Sequence, residues 1–114
     1  MDAAIERRLL GLLGLGARGR LAVIGVDRVR EAAFKGALAV VVVAADASRN
    51  STDKLIPLLK ARRVKVVEGP GTKALGQAVG REQTAAVGIT DRQLAKGIRE
   101  LMNEGRRAEA SEAR

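Results

Sequence analysis

The stretch AVVVVAA, Ala39–Ala45, decides the fold class. Its apolar residues are consecutive, whereas a strand with one exposed face would alternate apolar and polar side chains. The run therefore predicts a central strand that is covered on both faces of a sheet. We expect its valines to build the hydrophobic core.

Segments with helix-like and strand-like periodicity alternate along the rest of the chain. We predict helices at Asp2–Leu13, Val26–Lys35, Ser51–Ala61, Thr72–Val79 and Asp91–Glu104, and strands at Arg20–Ile24, Leu38–Ala44, Val64–Val67 and Thr84–Ile89. This alternation predicts an α/β fold, a three-layer α/β/α sandwich around a central mixed four-stranded sheet. One domain is expected over residues 1–104. A disordered tail is expected over residues 105–114, because GRRAEASEAR lacks apolar periodicity.

The chain of 114 residues contains no cysteine and no histidine. Disulfides, thiolate catalysis and cysteine-ligated metal are excluded, and the commonest general base and remaining zinc ligand are missing. We therefore expect a protein that is not an enzyme and uses no cofactor or metal. The longest apolar run, Ala37–Ala45, is too short to span a bilayer, and acidic residues stand where a signal peptide would be basic. A cytoplasmic protein is expected.

The formal net charge is +8 and the sequence pI is about 11.0. This excess of basic over acidic residues predicts a polyanionic partner. Arginine outnumbers lysine while alanine, glycine and valine abound, so biased codon composition is an alternative source of the charge. Phe34 is the single aromatic residue. We therefore expect polar groups, backbone and shape, instead of a stacking platform, to recognise any nucleic acid.

The stretch GLGARG, Gly14–Gly19, matches the dinucleotide-binding pattern G-x-G-x-x-G. That pattern requires a strand before the glycines and a helix after them, and here the order is reversed. We predict that these glycines end the first helix and form a loop. A second irregular segment, RNSTDK, precedes Pro57 and predicts a capped turn, with a regular helix beginning near Ile56. A catalytic role for Ser51 or Thr52 is the alternative, although no base accompanies them.

The segment GVDRVREAAFKG, Gly25–Gly36, follows the first predicted strand. Gly25 allows the chain to leave the strand and enter a helix within a residue or two, so that unpaired amides at the helix start face outward, where phosphate binds well. The alternative is an ordinary solvated helix, with Asp27 as a cap and Glu31 pairing with Lys35.

The segment EGPGTKALGQAVG, Glu68–Gly80, makes a constrained glycine turn that leads into a short helix capped by Thr72. It lacks the spacing of a Walker loop, which argues against nucleotide hydrolysis. Both this loop and the one at Gly25 follow a strand and precede a helix. They are expected to emerge at the same end of the sheet and to share one binding surface.

These segments, together with AVVVVAADAS and KLIPLLKARRVKVVEG, resemble the kink-turn RNA-binding ribosomal protein family named for ribosomal proteins L-seven-Ae and L-thirty-e, and look most like its bacterial YlxQ-type members. The likeness runs from about Arg20 to Asp91. It is carried by the order of five elements: Gly25, Lys35-Gly36, Ala45-Asp46, Pro57-Leu58-Leu59 and Leu75-Gly76 with Gly80.

The resemblance implies that the helix after the first strand binds tandem G·A pairs of a kink-turn, through Gly25, Asp27, Arg28 and Glu31. The family pattern is Gly, Asn, Glu and a following Lys, so this chain differs at the last three positions. Ionised Asp27 and Glu31 accept hydrogen bonds only, and donors would come from Arg28 and Arg30.

The resemblance also implies a second contact in the loop at Glu68–Thr72, where Pro70 is the apolar group available to an extruded base. Arg62 and Lys35 match basic positions that would hold phosphate, which positions a protein without specifying sequence. The expected RNA-binding residues are therefore Gly25, Asp27, Arg28, Arg30, Glu31, Lys35, Arg62, Gly69, Pro70, Gly71, Thr72 and Lys73.

We therefore expect a non-enzymatic RNA-binding protein that recognises structured RNA, ribosomal or other noncoding, as a monomer associated with the ribosome and its proteins, with no membrane partner. The first alternative is a protein-interaction module of the same fold, which Asp27 and Glu31 would favour. The second is a small-molecule or nucleotide-binding enzyme that uses Gly69–Lys73, with Asp46 or Asp91 as its carboxylate.

Overall fold

Helices and strands alternate throughout residues 1–112, the part of the chain that the computed structural model describes. The elements are α1 (Ala3–Arg18), β1 (Ala22–Ile24), α2 (Val26–Phe34), β2 (Val40–Val43), α3 (Arg49–Ala61), β3 (Lys65–Glu68), α4 (Thr72–Ala78), β4 (Ala86–Ile89) and α5 (Arg92–Glu112). The predicted α/β class is confirmed.

The four strands form one mixed sheet in the order β1-β4-β2-β3. β2 and β3 are parallel, whereas β4 runs antiparallel to both of its neighbours, β1 and β2. As a result β1, β2 and β3 all finish at the end of the sheet where β4 begins. We call this the upper end of the sheet, and the opposite end the lower end.

The strand β2 lies inside the sheet, and all four of its valines are buried. Val40 and Val42 belong to the core cluster shared with α1, α4 and α5. Val41 and Val43 belong to a second cluster shared with α2 and α3. Two helical layers therefore cover the sheet, as the uninterrupted valine run predicts. Complete burial stabilises each of these side chains by about 1.5–3 kcal/mol.

The first helix is longer than predicted, because it continues through the glycine-rich stretch instead of ending before it. Gly14 and Gly16 are buried inside α1, and only Gly19 forms its C-terminal cap. A methyl group at Gly14 would lie 2.9 Å from the Ala78 carbonyl oxygen, and one at Gly16 would lie 2.7 Å from Leu94 Cδ2. These glycines permit close packing of α1 on its neighbours, which outweighs their cost of about 1 kcal/mol each in a helix.

The third helix also begins earlier than predicted. The Oγ of Ser48 accepts a hydrogen bond from the Ser51 amide at 3.1 Å and caps α3. The segment RNSTDK is therefore helical, and the expected turn before Ile56 is wrong. Pro57 lies inside the helix but is exposed. The helix tolerates it there because water can reach the carbonyl group that loses its amide partner.

The last helix extends beyond the expected end of the ordered domain. Where a tail without structure was expected from residue 105, α5 continues to Glu112, and residues 113–114 lie outside the described residues. Gly105 packs against α1, since a methyl group on it would lie 3.4 Å from Ile5 Cγ2. The N-terminal ammonium lies 3.9 Å from Glu109 Oε1. These contacts support a segment whose residues favour helices but lack an apolar stripe.

Within the described residues, no helix is both long enough and apolar enough to cross a membrane.

Substitution of Gly76 by alanine should destabilise the fold strongly. A methyl group there would lie 2.6 Å from the Gln83 backbone nitrogen and 2.8 Å from its carbonyl carbon. The backbone of Gln83 cannot move aside as the end of a flexible side chain can. We therefore expect Gly76→Ala to lower the free energy of unfolding, measured in urea, by about 1–3 kcal/mol.

The matched control is Gly11→Ala in α1. Apart from its two chain neighbours and the nearby backbone of its own helix, no atom of residues 1–112 lies within 4 Å of the added methyl. This variant should gain about 0.5–1 kcal/mol through reduced freedom of the unfolded chain. Equal effects of the two substitutions would contradict the packing assigned to Gly76.

Candidate nucleic-acid interface

Backbone hydrogen bonds join the segments that leave the upper end of the sheet. The Gly25 amide donates to the Ala86 carbonyl at 2.9 Å, and the Ala44 amide donates to the Ala85 carbonyl at 2.8 Å. The start of α2, the chain after β2 and the entry to β4 are thereby held side by side. Since β1 and β3, which the two glycine loops follow, both finish at this end, the expectation that the loops emerge at the same end of the sheet is confirmed.

The loop between β3 and α4, residues 69–71, is fixed to the same end. The Gly69 amide donates to the Val43 carbonyl at 2.8 Å, and the Ala45 amide donates to the Pro70 carbonyl at 3.1 Å. The Thr84 amide donates to the Thr72 carbonyl at 3.0 Å. The loop is therefore part of a rigid platform, because its backbone is bonded to two neighbouring segments.

The side chain of Asp46 completes this attachment. Its Oδ1 accepts a hydrogen bond from the Thr72 amide at 2.7 Å, and its Oδ2 lies 3.4 Å from the Thr72 hydroxyl. A carboxylate from the loop after β2 thus supplies the cap that Gly71, which has no side chain, cannot supply to α4. The expectation that Thr72 caps this helix is wrong, because Thr72 is the first helical residue and its amide is the group that is capped. The role of Asp46 was missed, and its place three residues after the buried strand β2 was the available signal.

The first turn of α2 faces solvent at the upper end. Gly25 is the N-cap residue and has φ +99°, a conformation that glycine adopts without strain. The chain therefore turns from β1 into α2 at a single residue, and the amides of the first turn point away from the sheet. Asp27 and Arg28 are exposed there, and Arg28 makes no hydrogen bond or ion pair with residues 1–112.

The predicted loop contact is only partly accessible. Gly69 and Pro70 are buried, and Gly71 and Thr72 are half-buried. A methyl group at Gly69 would lie 2.6 Å from Val42 Cγ1, so this turn packs directly on the central strand. The ring of Pro70 is consequently not presented to a base in this structure. Among the predicted residues Gly69–Lys73, Lys73 is the exposed one.

Three of the predicted basic residues lie away from the upper end. The Arg30 guanidinium turns toward α3 and donates to the Lys54 carbonyl at 2.7 Å. Lys35 lies at the lower end of α2 and pairs with Glu31 at 3.1 Å. Arg62 donates to the carbonyl of Phe34 at 3.4 Å. The structure thus divides the predicted site into a group at the upper end and a group around Phe34.

The two carboxylates considered for an enzyme lie at opposite ends of the sheet. Asp46 stands at the upper end, whereas Asp91 follows β4 at the lower end. The Oδ2 of Asp91 accepts a hydrogen bond from the Leu94 amide at 2.8 Å and caps α5. Each carboxylate therefore serves a helix terminus, and the two share no site.

The sequence matches the model of the Ribosomal protein L7Ae/L30e/S12e/Gadd45 family over residues 12–98, more than half of the chain. A protein of unknown function from Bacillus halodurans has a similar structure, with TM-score 0.78 and 26% identity, over 83% of this chain and 96% of that one. The Giardia lamblia 15.5kD RNA binding protein also has a similar structure, with TM-score 0.77 and 21% identity, over 91% of this chain and 89% of that one. A search of curated protein sequences finds no significant match.

Removal of the Asp46 carboxylate should loosen the loop at the upper end. We expect Asp46→Ala to lower the free energy of unfolding by about 0.5–2 kcal/mol, the usual effect of losing a helix cap. Hydrogen exchange at the Thr72 amide should become faster. Asp46→Asn keeps an acceptor oxygen and is the matched control, which should retain most of the protection. Unchanged exchange in Asp46→Ala would rule out the cap.

Proposed function

This chain belongs to the Ribosomal protein L7Ae/L30e/S12e/Gadd45 family, and we propose that it is a non-enzymatic, cytoplasmic RNA-binding protein that recognises a structured RNA of the kink-turn type. The net charge of +8 supports a polyanionic ligand. The observation that carries the proposal is the turn at Gly25, which exposes the first turn of α2 at the same end of the sheet as the loop that precedes α4, with the ends of β4 and β2 between them.

The upper end of the sheet offers both kinds of group that a structured RNA requires. Arg28 provides several donors in a planar fork, and the amides at the start of α2 add further donors. Asp27 accepts hydrogen bonds, and the exocyclic amino groups of bases in G·A pairs donate them. We assign base recognition to this pair of exposed side chains, which replaces the amide and carboxylate of the family pattern.

Phosphate contacts would surround this centre. Lys73 is exposed in the first turn of α4, next to the loop that Asp46 holds. Its ammonium group acts as a point charge toward phosphate and so adds affinity without adding sequence information. We propose ribosomal or other noncoding RNA as the target of a YlxQ-type monomer that is associated with the ribosome and its proteins.

The second candidate function is a protein-interaction module of the same fold. Asp27 and Glu31 are exposed one turn apart on α2, where their negative charge opposes the approach of RNA. Such a module would select a partner protein through α2 and would bind RNA only through general charge.

One experiment separates these functions. The protein is titrated with a kink-turn RNA and with the same RNA whose G·A pairs are replaced by Watson-Crick pairs, at several salt concentrations. We expect a preference for the kink-turn that persists as salt rises, because hydrogen bonds to bases do not depend on counterion release. Equal affinities that fall together with salt would overturn the proposal and favour the interaction module.

Arg28 should account for a substantial part of this preference. We expect Arg28→Ala to weaken binding of the kink-turn RNA by about 1–3 kcal/mol and to reduce the preference over the Watson-Crick variant. Arg92→Ala, which removes the same charge from an exposed position at the lower end, is the control and should leave the preference intact. Equal losses in the two variants would place recognition elsewhere.

A further inference from the structure

The single aromatic residue of this protein lies on its surface. Phe34 ends α2 at the lower end of the sheet, and 55% of it is exposed to solvent. The buried core is built from aliphatic side chains alone. An exposed phenylalanine leaves unused a large apolar area that burial would have turned into stability. The ring of Phe34 therefore contributes little to the hydrophobic core.

Two guanidinium groups lie over the ring. The Cζ of Arg62 lies 5.5 Å from the ring centroid, and the Cζ of Arg30 lies 6.0 Å from it. Both distances are within the range of cation–π attraction. Each guanidinium is also tied to a backbone carbonyl, Arg62 to that of Phe34 and Arg30 to that of Lys54. The planar groups are thus held in place before any ligand arrives, which lowers the entropic cost of binding.

The charge around the ring is positive. Lys35 follows Phe34 and is exposed, and Arg63 follows Arg62 and is also exposed. Glu31 is the acid nearest in α2, and its carboxylate already pairs with Lys35. We use the name Phe34 cluster for Arg30, Phe34, Lys35 and Arg62. It combines an aromatic surface, planar cations and a point charge.

We propose that the Phe34 cluster binds an unpaired nucleotide that extends from the structured RNA, an inference that rests on the proposed function. The base stacks on the exposed part of the Phe34 ring and on the guanidinium groups that lie over it, and the neighbouring phosphates contact Arg62 and Lys35. Every base has a π face, so this contact adds affinity with little dependence on sequence. The three basic residues predicted for RNA thus have a common task away from the upper end.

The path between the two contacts is short. The nine residues of α2 separate its ends by about 13 Å, at about 1.5 Å per residue. Arg28 and Lys35 lie two turns apart and line the same groove, about 450 Å³ in volume, between α2 and β1, and Glu31, which pairs with Lys35, lies between them. Lys35 adjoins Phe34 in sequence, so an RNA strand that leaves the start of α2 has about the length of this helix to cross before it reaches the ring.

The test compares two kink-turn RNAs, one with blunt ends and one with a single-stranded pyrimidine extension at either end of the bent duplex. The native protein should bind the extended RNA about tenfold more tightly, the typical contribution of one base stacked on an aromatic ring. Phe34→Leu retains apolar volume without the ring. This variant should lose the tighter binding of the extended RNA and bind the blunt RNA with unchanged affinity.

Two variants keep the result interpretable. Phe34→Tyr retains the ring and should retain the gain. Arg62→Lys retains the positive charge but loses the planar guanidinium, so this variant should keep only part of the gain in affinity that the extension provides. Thermal unfolding shows whether each variant folds. If Phe34→Leu binds both RNAs like the native protein, or if the extension adds no affinity to the native protein, the inference is wrong.

The failures of the two proposals are distinguishable. A kink-turn preference that persists without any extension-dependent gain overturns the inference about Phe34 and leaves the proposed function standing. A second outcome is that the extension raises affinity and Phe34→Leu removes this gain, while the protein shows no preference for the kink-turn. This outcome supports the Phe34 contact and overturns recognition at the upper end. If the extension raises the affinity of Phe34→Leu as much as that of the native protein, the extension binds through general charge, and this result contradicts the Phe34 contact.

Discussion

Burial of β2 on both faces of the sheet is the constraint on which the rest of the structure depends. Its four valines face two separate apolar clusters, so each face must carry its own helical layer. The strand lies between β4 and β3, parallel to one and antiparallel to the other. This arrangement brings the ends of three strands and the start of the fourth to one place, where the chain makes the turns that form the candidate site.

The rigidity of that site follows from hydrogen bonds between segments that are distant in sequence. The loop before α4 is bonded to the end of β2 through its backbone and to Asp46 through a side chain. Gly25 is bonded to the entry of β4. A nucleic-acid ligand would therefore meet a preformed surface, and little of its binding energy would be needed to order these loops.

The net charge of +8 does not by itself locate the surface that would bind RNA. The structure divides the basic side chains by the way they are held. Arg28 faces solvent at the start of α2, whereas Arg30 and Arg62 are held against backbone carbonyls beside Phe34. Cations that already hold a backbone partner in a fixed geometry suit a planar ligand. A cation that projects freely suits a base edge or a phosphate.

The sequence by itself determined the α/β sandwich, the burial of Val40–Val43 and the common placement of the two glycine loops, because hydrophobic periodicity and strand order act locally. The length of α1 was decided by tertiary structure, since Gly14 and Gly16 meet Ala78 and Leu94, which lie far along the chain. Tertiary structure likewise assigned Asp46 to the cap of α4 and separated the basic residues of α2. No local pattern records these contacts, because each depends on a partner that only the folded chain brings near.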